Sequence, residues 1–447
     1  MKTPIVDFVR NYQAEGTARF HMPGHKGMGP LGCEAWDITE VAGADSLYEA
    51  SGIIAESERN AASLFGSRQT LFSTEGSSQC IRAMLYLALV NRPAGTPPVV
   101  VAARNAHKAF LYAAALLDFT IVWLWPETEN HSLCTCPVSP ETLEQTLNAL
   151  DAPPAAVYIT SPDYLGNMAD ISALAEVCHR VGTVLAVDNA HGAYLRFLQP
   201  SRHPLDLGAD LCCDSAHKTL PVLTGGAYLH ISRDAPKIGG AKAALALFGS
   251  TSPSYLTLTS LDLCNAALAG DEPERIRTAA GRLGALKQDL LSWGWATVGD
   301  EPLKLTLDTA ASGWNGLELA KHLRIREVEP EYADGDFCVL MVAPENTPED
   351  LQRLADSLAC AIQKAPRSHS ALPLAKGEQV LSVREALFTP HETVSAAESL
   401  GRICGAPAVA CPPAIPIAVS GERIGPEAVA LFREYGAETV VVLKERF

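Results

Sequence analysis

Four short stretches of this sequence place chemically active side chains beside residues that favour turns. In the first, "STEGSSQCIRAML" (73–85), Gly76, Ser77 and Ser78 stand directly before an apolar helical pattern. Backbone N–H groups and hydroxyls at the start of a helix bind anions, so these three residues predict a phosphate-binding turn. The alternative is that the serines only cap the helix, which is a common role of serine.

The second stretch, "DSAHKTLPVLTGGAYLH" (214–230), carries Lys218 behind Ser215 and His217 and ahead of apolar and turn residues. A lysine amine that is partly removed from water loses its proton more easily and becomes a nucleophile toward carbonyl groups. Lysines are costly to bury, so the alternative is a lysine on a loop that points to solvent. We expect Lys218 to be partly buried and to form an imine.

Two further stretches place His107 in "ARNAHKAF" (103–110) and Asp188 in "VDNAHGAY" (187–194), each just at the end of an apolar run. A carboxylate at such a strand end is poorly solvated unless it faces a cationic partner, such as a protonated ring nitrogen. Asp188 could equally cap the following helix, and His107 could be a structural hydrogen-bonding residue. Taken with the phosphate turn and the imine-forming lysine, however, these residues predict a site for pyridoxal 5'-phosphate (PLP).

The elements that must position these residues alternate along the chain between short apolar runs and helical patterns. Continuous apolar runs of this kind are typical of buried parallel strands, and the order predicts an open, mostly parallel sheet wrapped by helices, which is an α/β fold. Ligands in such sheets bind beyond the carboxyl ends of the strands, where Asp188 and Lys218 fall. The predicted strands are 97–103, 119–125, 155–160, 182–188 and 209–214, and the predicted helices include 141–150 and 170–181.

The character of the sequence changes after about residue 265, which predicts smaller α/β regions toward the C-terminus. A long amphipathic pattern covers 272–294, and a polar, proline-bearing stretch at 364–379 reads as a linker. We therefore predict an N-terminal segment (1–50), a large PLP-binding domain (51–265), a small α/β domain (266–365) and a C-terminal domain (366–447).

Composition excludes several classes of function. The net charge of -16 argues against nucleic acid as a partner. The sequence contains no apolar run of about 18 residues, the length that a membrane-spanning helix needs. The 12 cysteines include no CxxC pair, and the histidines of "HMPGH" (21–25) flank a proline and a glycine that disfavour a helical metal site. The start of the chain lacks the apolar region of a secretory signal. We expect a cytoplasmic protein with reduced thiols and no metal.

Beyond these residue types, the chain resembles the Orn/Lys/Arg decarboxylases, PLP enzymes with the type I (aspartate-aminotransferase) fold. The motifs that carry the resemblance run in the family's order along nearly the whole chain. They are "RFHMPGHKG" (19–27), "GSSQ" (76–79), "RNAHK" (104–108), "VDNAHGAY" (187–194), "SAHKTLPVLT" (215–224), "STSPSYLTLTSLD" (250–262) and "PPAIPIAVSGE" (412–422). No receiver-like N-terminal domain precedes them, which resembles the short subgroup of the family.

The resemblance implies a role for each matching residue. Lys218 would bind PLP covalently, Asp188 would pair with the ring nitrogen, and His217 would act beside Lys218 in catalysis. The remaining cofactor contacts would come from the phosphate turn, from residues that pack on the ring, and from a turn reaching the phosphate of a partner subunit in a homodimer. These contacts are Gly76, Ser77, Ser78, His107, Ala190, His191, Ser215, Thr251 and Ser252. Glu422 is the candidate for holding the far end of a basic substrate.

The implied activity is decarboxylation of arginine, lysine or ornithine to the amine and CO2, a reaction of polyamine biosynthesis. Two alternatives stay open: a PLP enzyme of the same fold with other chemistry (aminotransferase, lyase or cyclase), or a PLP-binding protein with little turnover. The chain departs from the family at Glu75, Asn189, Tyr194, Gly225 and Pro413-Ala414, where asparagine, glutamate, histidine, glutamine and Pro-Gly are usual. These departures lie near the predicted pocket and leave the substrate open.

Overall fold

The structure is a computed structural model that describes residues 1–126, 132–361, 364–369, 374, 376–407 and 415–444. In this described part the α-helices are α1 (Pro4–Ala14), α2 (Ile53–Phe65), α3 (Ser77–Val90), α4 (Lys108–Leu117), α5 (Pro140–Asn148), α6 (Ile171–Arg180), α7 (Ala216–Thr219), α8 (Ala241–Leu247), α9 (Tyr255–Leu268), α10 (Glu272–Ser292), α11 (Gly316–Ile325), α12 (Pro348–Ala359), α13 (Val383–Leu387) and α14 (Pro426–Glu434). The strands are β1 (Gln69–Ser73), β2 (Val99–Ala103), β3 (Thr120–Leu124), β4 (Ala156–Thr160), β5 (Val184–Asp188), β6 (Leu211–Asp214), β7 (Ala227–Ile231), β8 (Ala296–Val298), β9 (Lys304–Asp308), β10 (Tyr332–Ala333), β11 (Phe337–Met341), β12 (His391–Ser395) and β13 (Thr439–Leu443).

The chain forms two compact units. The first contains Met1–Thr96, Ala155–Val157 and Ile171–Arg277, and the second contains Pro97–Pro154, Tyr158–Asp170 and Thr278–Phe447.

Within the first unit, the strands follow the order β1-β7-β6-β5. Strand β7 is antiparallel to both β1 and β6, whereas β5 and β6 are parallel, with Asp188 opposite Cys213. Because β1, β5 and β6 therefore run in the same direction, their carboxyl ends meet at one edge of the sheet. The turns that follow these three strands all begin at that edge.

Helices α3 and α7 of the first unit begin just after this edge. Gly76 precedes α3 with a φ of 72°, a left-handed conformation that glycine adopts without the steric cost of a Cβ. The apolar face of α3 is buried and includes Ile81, Met84 and Leu85, so the helix start is held firmly against the sheet. Helix α7 is a single turn that directly follows β6.

Within the second unit, β2 and β3 pair in parallel from Val99 opposite Thr120 onward. A separate antiparallel sheet has the order β10-β11-β9-β8, and α10, α11 and α12 supply residues to its core together with Trp295. Strands β12 and β13 pair antiparallel and share a core with α14, centred on Phe432 and Val442. Strands β9 and β11 are buried along nearly their whole length, and their side chains enter two apolar clusters, one around Leu305 and Leu307 and one around Phe337 and Val339.

The five strands predicted from the apolar runs are confirmed as β2 to β6, and the predicted helices at 141–150, 170–181 and 272–294 are confirmed as α5, α6 and α10. The α/β class is confirmed, with antiparallel pairing at β7 as an addition to the expected parallel sheet. The four domain boundaries stay a prediction. Residues 370–373 and 375 of the predicted linker, and 412–414 of "PPAIP" with its Pro413-Ala414 departure, lie outside the described residues.

Among the residues that the structure describes, no helix combines the length and the apolar character that crossing a bilayer requires.

Candidate active site

The predicted phosphate turn lies at the carboxyl ends of β1 and β6. The hydroxyl of Ser215, which follows β6, donates to the hydroxyl of Ser77 at 2.8 Å, at the start of α3. The backbone N–H of Gly76 donates to the carbonyl of Gly225 at 2.7 Å, which links the phosphate-binding turn to the 214–230 stretch that carries Lys218. Ser78 follows Ser77 in the first turn of α3. Two hydroxyls and a helix N-terminus therefore converge at one point, as anion binding requires.

Gly225 is required at its position by backbone geometry. Its φ is 95°, and a Cβ there would lie 2.8 Å from the carbonyl oxygen of Thr74. A glutamine, which is usual in the resembling family, does not fit this backbone. The departure noted in the sequence therefore has a local steric reason.

Asp188 ends β5 and is 2% exposed. Its Oδ1 accepts a hydrogen bond from the backbone N–H of Ala190 at 3.2 Å and from the thiol of Cys213 at 3.7 Å. The carboxylate is thus held at the strand end by neighbours on β6 and in its own turn. A buried carboxylate in this position can pair with a cationic ring nitrogen.

Lys218 corrects one expectation from the sequence, because its side chain is exposed instead of partly buried. The reason lies in α7, whose single turn buries Ala216 and Thr219 against the unit and directs Lys218 outward. Its Nζ lies 3.1 Å from Nε2 of the buried His191, which follows the Asp188 turn. The amine is therefore accessible to a ligand while one imidazole stays within proton-transfer distance.

The side chain and backbone of His217 both contact the carbonyl of Gly226. Its backbone N–H donates to the carbonyl of Gly226 at 3.2 Å, and its Nδ1 lies 3.1 Å from the same oxygen. Burial lowers the pKa of His217, and the charge of Lys218 lowers it further. The imidazole beside the amine is therefore neutral near pH 7.

Thr251 and Ser252 lie on an exposed turn of the first unit. The preceding Ser250 donates its backbone N–H to Oε1 of Glu75 at 2.5 Å. The exposed Glu75, which departs from the resembling family, thereby links this turn to the start of the phosphate turn. Tyr194, another departure, is fully buried.

Two predicted residues belong to the second unit. His107 is the N-cap of α4, and its Nδ1 accepts the backbone N–H of Ala109 at 3.1 Å. Glu422 is 3% exposed and forms a bidentate ion pair with the buried Arg104, both distances being 2.8 Å. Oε2 of Glu422 also accepts the backbone N–H of Val419. Both carboxylate oxygens of Glu422 are therefore already hydrogen-bonded within the second unit.

A buried polar cluster lies behind this edge of the sheet in the first unit, and the sequence did not predict it. Asp214, the last residue of β6, accepts hydrogen bonds from Nε2 of His203 and of His230 at 3.1 and 3.0 Å. Asn189 donates to the other oxygen of Asp214 at 2.7 Å. Histidines that are far apart in the sequence give no local signal of such a cluster. The only signal in the sequence was the carboxylate of Asp214 at the end of an apolar run.

His203, Asp214 and His230 are of the right types and close enough together to bind a metal ion. The hydrogen bonds argue otherwise. Because Nδ1 of His203 accepts the backbone N–H of Leu205, its proton must lie on Nε2, which then donates to Asp214 and has no lone pair for a metal. The cluster is therefore best described as a hydrogen-bonded network.

PLP fits the chemistry of the residues in the first unit. A phosphate needs hydroxyls and N–H groups, which Ser77, Ser215 and the start of α3 provide. A pyridinium nitrogen needs a buried carboxylate, which Asp188 provides, and an aldehyde needs an accessible amine, which Lys218 provides.

Comparison with known proteins agrees with this chemistry. Residues 3–283 match the family model described as Orn/Lys/Arg decarboxylase, major domain. The chain is 30% identical to the uncharacterized protein YaaO of Bacillus subtilis, covering 96% of this chain and 93% of that one. It is 27% identical to an arginine decarboxylase of Bacillus subtilis, covering 96% and 92% of the two chains.

The fold is also that of a solved decarboxylase. The constitutive lysine decarboxylase of Escherichia coli superposes with a TM-score of 0.78 at 18% identity, covering 99% of this chain and 82% of that one. The predicted type I fold of PLP-dependent transferases is thereby confirmed. With motifs, site chemistry and fold in agreement, the chain belongs to the Orn/Lys/Arg decarboxylase family.

Proposed function

We propose that this protein is a PLP-dependent decarboxylase of a basic amino acid. The observation that carries the proposal is the arrangement in the first unit, where an exposed lysine amine, a buried strand-end carboxylate and a pair of serine hydroxyls follow the carboxyl ends of three strands. PLP supplies an electron sink for the pair released from Cα when CO2 leaves. The residues of the chain bind it, orient it and move protons.

Each residue has a separate task in this proposal. Ser77, Ser78 and Ser215 would bind the phosphate at the start of α3, and Asp188 would keep the ring nitrogen protonated. Lys218 would bind the coenzyme aldehyde covalently, and Gly76, Ala190 and His191 would line the coenzyme. After loss of CO2, Lys218 or His217 would deliver a proton to Cα as a general acid.

Arginine, lysine and ornithine are the proposed substrates. The relatives are named arginine decarboxylase and lysine decarboxylase, which supports a substrate with a cationic side chain. Binding of that cation by Glu422 would require the substrate to share the carboxylate with Arg104, because both of its oxygens already accept hydrogen bonds.

The test is an assay of the purified, PLP-supplemented chain with a panel of amino acids, in which CO2, amine and keto-acid products are measured together. Stoichiometric CO2 and amine from one basic amino acid would support the proposal, whereas keto acid or no turnover would support one of the alternatives. Borohydride reduction followed by peptide mass spectrometry should place the coenzyme on Lys218. Attachment at another lysine would refute the assignment.

We also propose that the site is shared across a homodimer, with Thr251 and Ser252 binding the partner's phosphate. The exposed position of their turn and the exposed apolar side chains of Phe20 and Leu31 support an interface. Mixing Lys218→Ala with a Thr251→Ala/Ser252→Ala variant tests this. Shared sites should restore activity above that of either variant alone, and no restoration would refute sharing.

A further inference from the structure

Asp214 is a completely buried carboxylate that has no assigned role in the proposed reaction. Both of its oxygens accept hydrogen bonds: Oδ1 from the amide of Asn189 at 2.7 Å, and Oδ2 from His203 at 3.1 Å and His230 at 3.0 Å. The thiol of Cys212 lies 3.7 Å from Oδ1. A carboxylate with this many donors is stabilised in its ionised form.

Hydrogen bonding fixes the tautomer of His203 and is compatible with a neutral His230. Nδ1 of His203 accepts the backbone N–H of Leu205 and therefore carries no proton. Nδ1 of His230 lies 2.8 Å from the hydroxyl of Thr70, which can donate to it. Both imidazoles can thus be neutral and donate through Nε2, which leaves one net negative charge on the cluster.

Electrostatics supports the same charge state. Burial by itself raises the pKa of Asp214. The charge interactions and hydrogen bonds of the adjacent His203 and His230 outweigh this effect and hold the pKa of Asp214 well below its ordinary value. Burial lowers the pKa of His230, and the attraction of Asp214 only partly offsets this effect. Asp214 is therefore ionised and His230 neutral at physiological pH.

The cluster lies directly behind the two turns that carry the proposed chemistry. Asn189 joins Asp214 to the turn after Asp188, and its backbone N–H donates to the carbonyl of Cys213 at 3.0 Å. Asp214 itself precedes the Ser215–Lys218 turn. Because side chains alternate along a strand, Asp188 and Asp214 point to opposite faces of the sheet at its common edge.

The groups that act on Asp214 come from every element packed around it. Besides its hydrogen-bond partners, Asp214 interacts electrostatically with thiols and one phenol on α3, β6 and β7. The positive charge of Arg196 lowers the pKa of His230. These groups are Cys80, Cys212, Cys213, Tyr228 and Arg196. The thiols and the phenol are buried and neutral because burial raises their pKa values, and Arg196 is paired with Asp206.

We propose that Asp214 is a second ionised carboxylate of the site, a positioning residue that touches neither coenzyme nor substrate. Through Asn189 and Ser215 it holds the Asp188 turn and the Lys218 turn in register. Its buried charge favours the protonated form of a coenzyme bound between Asp188 and Lys218. This inference rests on the proposed function.

The physical reason is the low dielectric behind the sheet edge. Charges that are poorly screened interact over longer distances than charges in water, so a fixed anion raises the proton affinity of groups around it. Asp188 would raise the proton affinity of the coenzyme ring by direct contact. Asp214 would raise it further through its electric field from the opposite face of the sheet. The protein keeps this charge by surrounding it with donors instead of cations.

The test compares Asp214→Asn with His203→Leu in the PLP-loaded protein. Both variants break one arm of the cluster and should lower the melting temperature, but only Asp214→Asn removes the charge. The pH midpoint of the visible absorbance of the bound coenzyme should fall by about half a unit or more in Asp214→Asn. It should stay within about 0.2 units of the wild type in His203→Leu, which keeps the carboxylate. Equal midpoints in the wild type and Asp214→Asn would overturn the proposal.

A second measurement does not depend on a variant that folds. NMR of the wild-type protein labelled with 15N-histidine should give neutral, Nε2-protonated imidazoles for His203 and His230 between pH 6 and 8. A doubly protonated ring at either position would neutralise the cluster and overturn the proposal. Failure of the wild type to take up PLP on Lys218 would instead refute the proposed function, and the NMR result would still decide the charge of the cluster.

Discussion

Nζ of Lys218 and Nε2 of His191 lie 3.1 Å apart, although the two residues come from different strand ends. A lysine ammonium can only donate to that nitrogen, whereas a neutral amine can either donate an N–H to it or accept a hydrogen bond from it. One proton can therefore pass between the two groups without a large movement. The amine must be neutral to attack an aldehyde, so this pair has a direct consequence for coenzyme attachment.

We expect His191→Asn to slow the covalent attachment of PLP at neutral pH by about tenfold or more, because the amine loses its proton acceptor. Stopped-flow absorbance of the apoprotein mixed with PLP measures the rate. His322→Asn is a matched control, since Nε2 of His322 bonds to the carbonyl of Ser357 in the second unit. An unchanged rate in His191→Asn would contradict a role in proton transfer.

Gly225→Ala should weaken PLP binding and destabilise the fold. An alanine at a φ of 95° is strained by about 1–2 kcal/mol, and its Cβ would press on the carbonyl of Thr74 and displace the bond from Gly76. Equilibrium dialysis with PLP and thermal melting are the measurements. Gly239→Ala is the control, because a Cβ at Gly239 meets no atom within 4 Å. Equal effects of the two variants would refute this explanation.

The Arg104–Glu422 pair should contribute to stability more than a surface ion pair does. Arg104 is 1% exposed, and its guanidinium lies 4.8 Å from the ring of Trp123 and 4.6 Å from that of Trp125. Arg104→Met leaves a buried carboxylate without its partner, and we expect a loss of about 3–5 kcal/mol in the free energy of unfolding. Urea denaturation measures this loss.

Glu422→Gln separates this structural role from substrate binding. If Glu422 only pairs with Arg104, the variant should lose stability while the KM for basic amino acids stays unchanged. A raised KM at unchanged stability would instead support Glu422 as the residue that holds the substrate's cation.

The buried cluster predicts how stability depends on pH. His230 and Asp214 both have lowered pKa values in the folded protein, so at acidic pH the unfolded chain binds protons that the folded one does not. The stability they contribute is complete above the ordinary values and is lost as pH falls, first below about 6.5 through His230 and then below about 4 through Asp214. Urea midpoints measured from pH 8 down to about pH 2 should decline in that order. A His230→Gln variant should flatten the first part of the decline, and an unaltered curve would contradict the assignment.

Thiol reactivity should separate the cysteines by burial. Burial raises the pKa of Cys136 to about 11 and that of Cys178 to about 12, so few of these thiols are ionised at pH 8. Cys360 is exposed and Cys33 is half-buried. Iodoacetamide followed by peptide mass spectrometry should label Cys360 and Cys33 first. Early labelling of Cys178 would show that α6 opens in solution.

The sequence by itself determined the strands and the order of the site residues. Apolar runs and turn residues are local signals, and they located β2 to β6 and placed Asp188 and Lys218 after strand ends. The phosphate turn was visible for the same reason, since a glycine and two serines before a helix are neighbours in the chain. These features required no knowledge of which segments meet in space.

Tertiary structure alone decided the features that depend on distant partners. Lys218 is exposed because of the orientation of one short helical turn, and β7 inserts antiparallel between β1 and β6. Arg104 and Glu422 are 318 positions apart, and Asp214 meets histidines from two other segments. The physical reason is that burial and charge pairing are set by packing between segments, whereas strand and turn propensities are set by neighbouring residues.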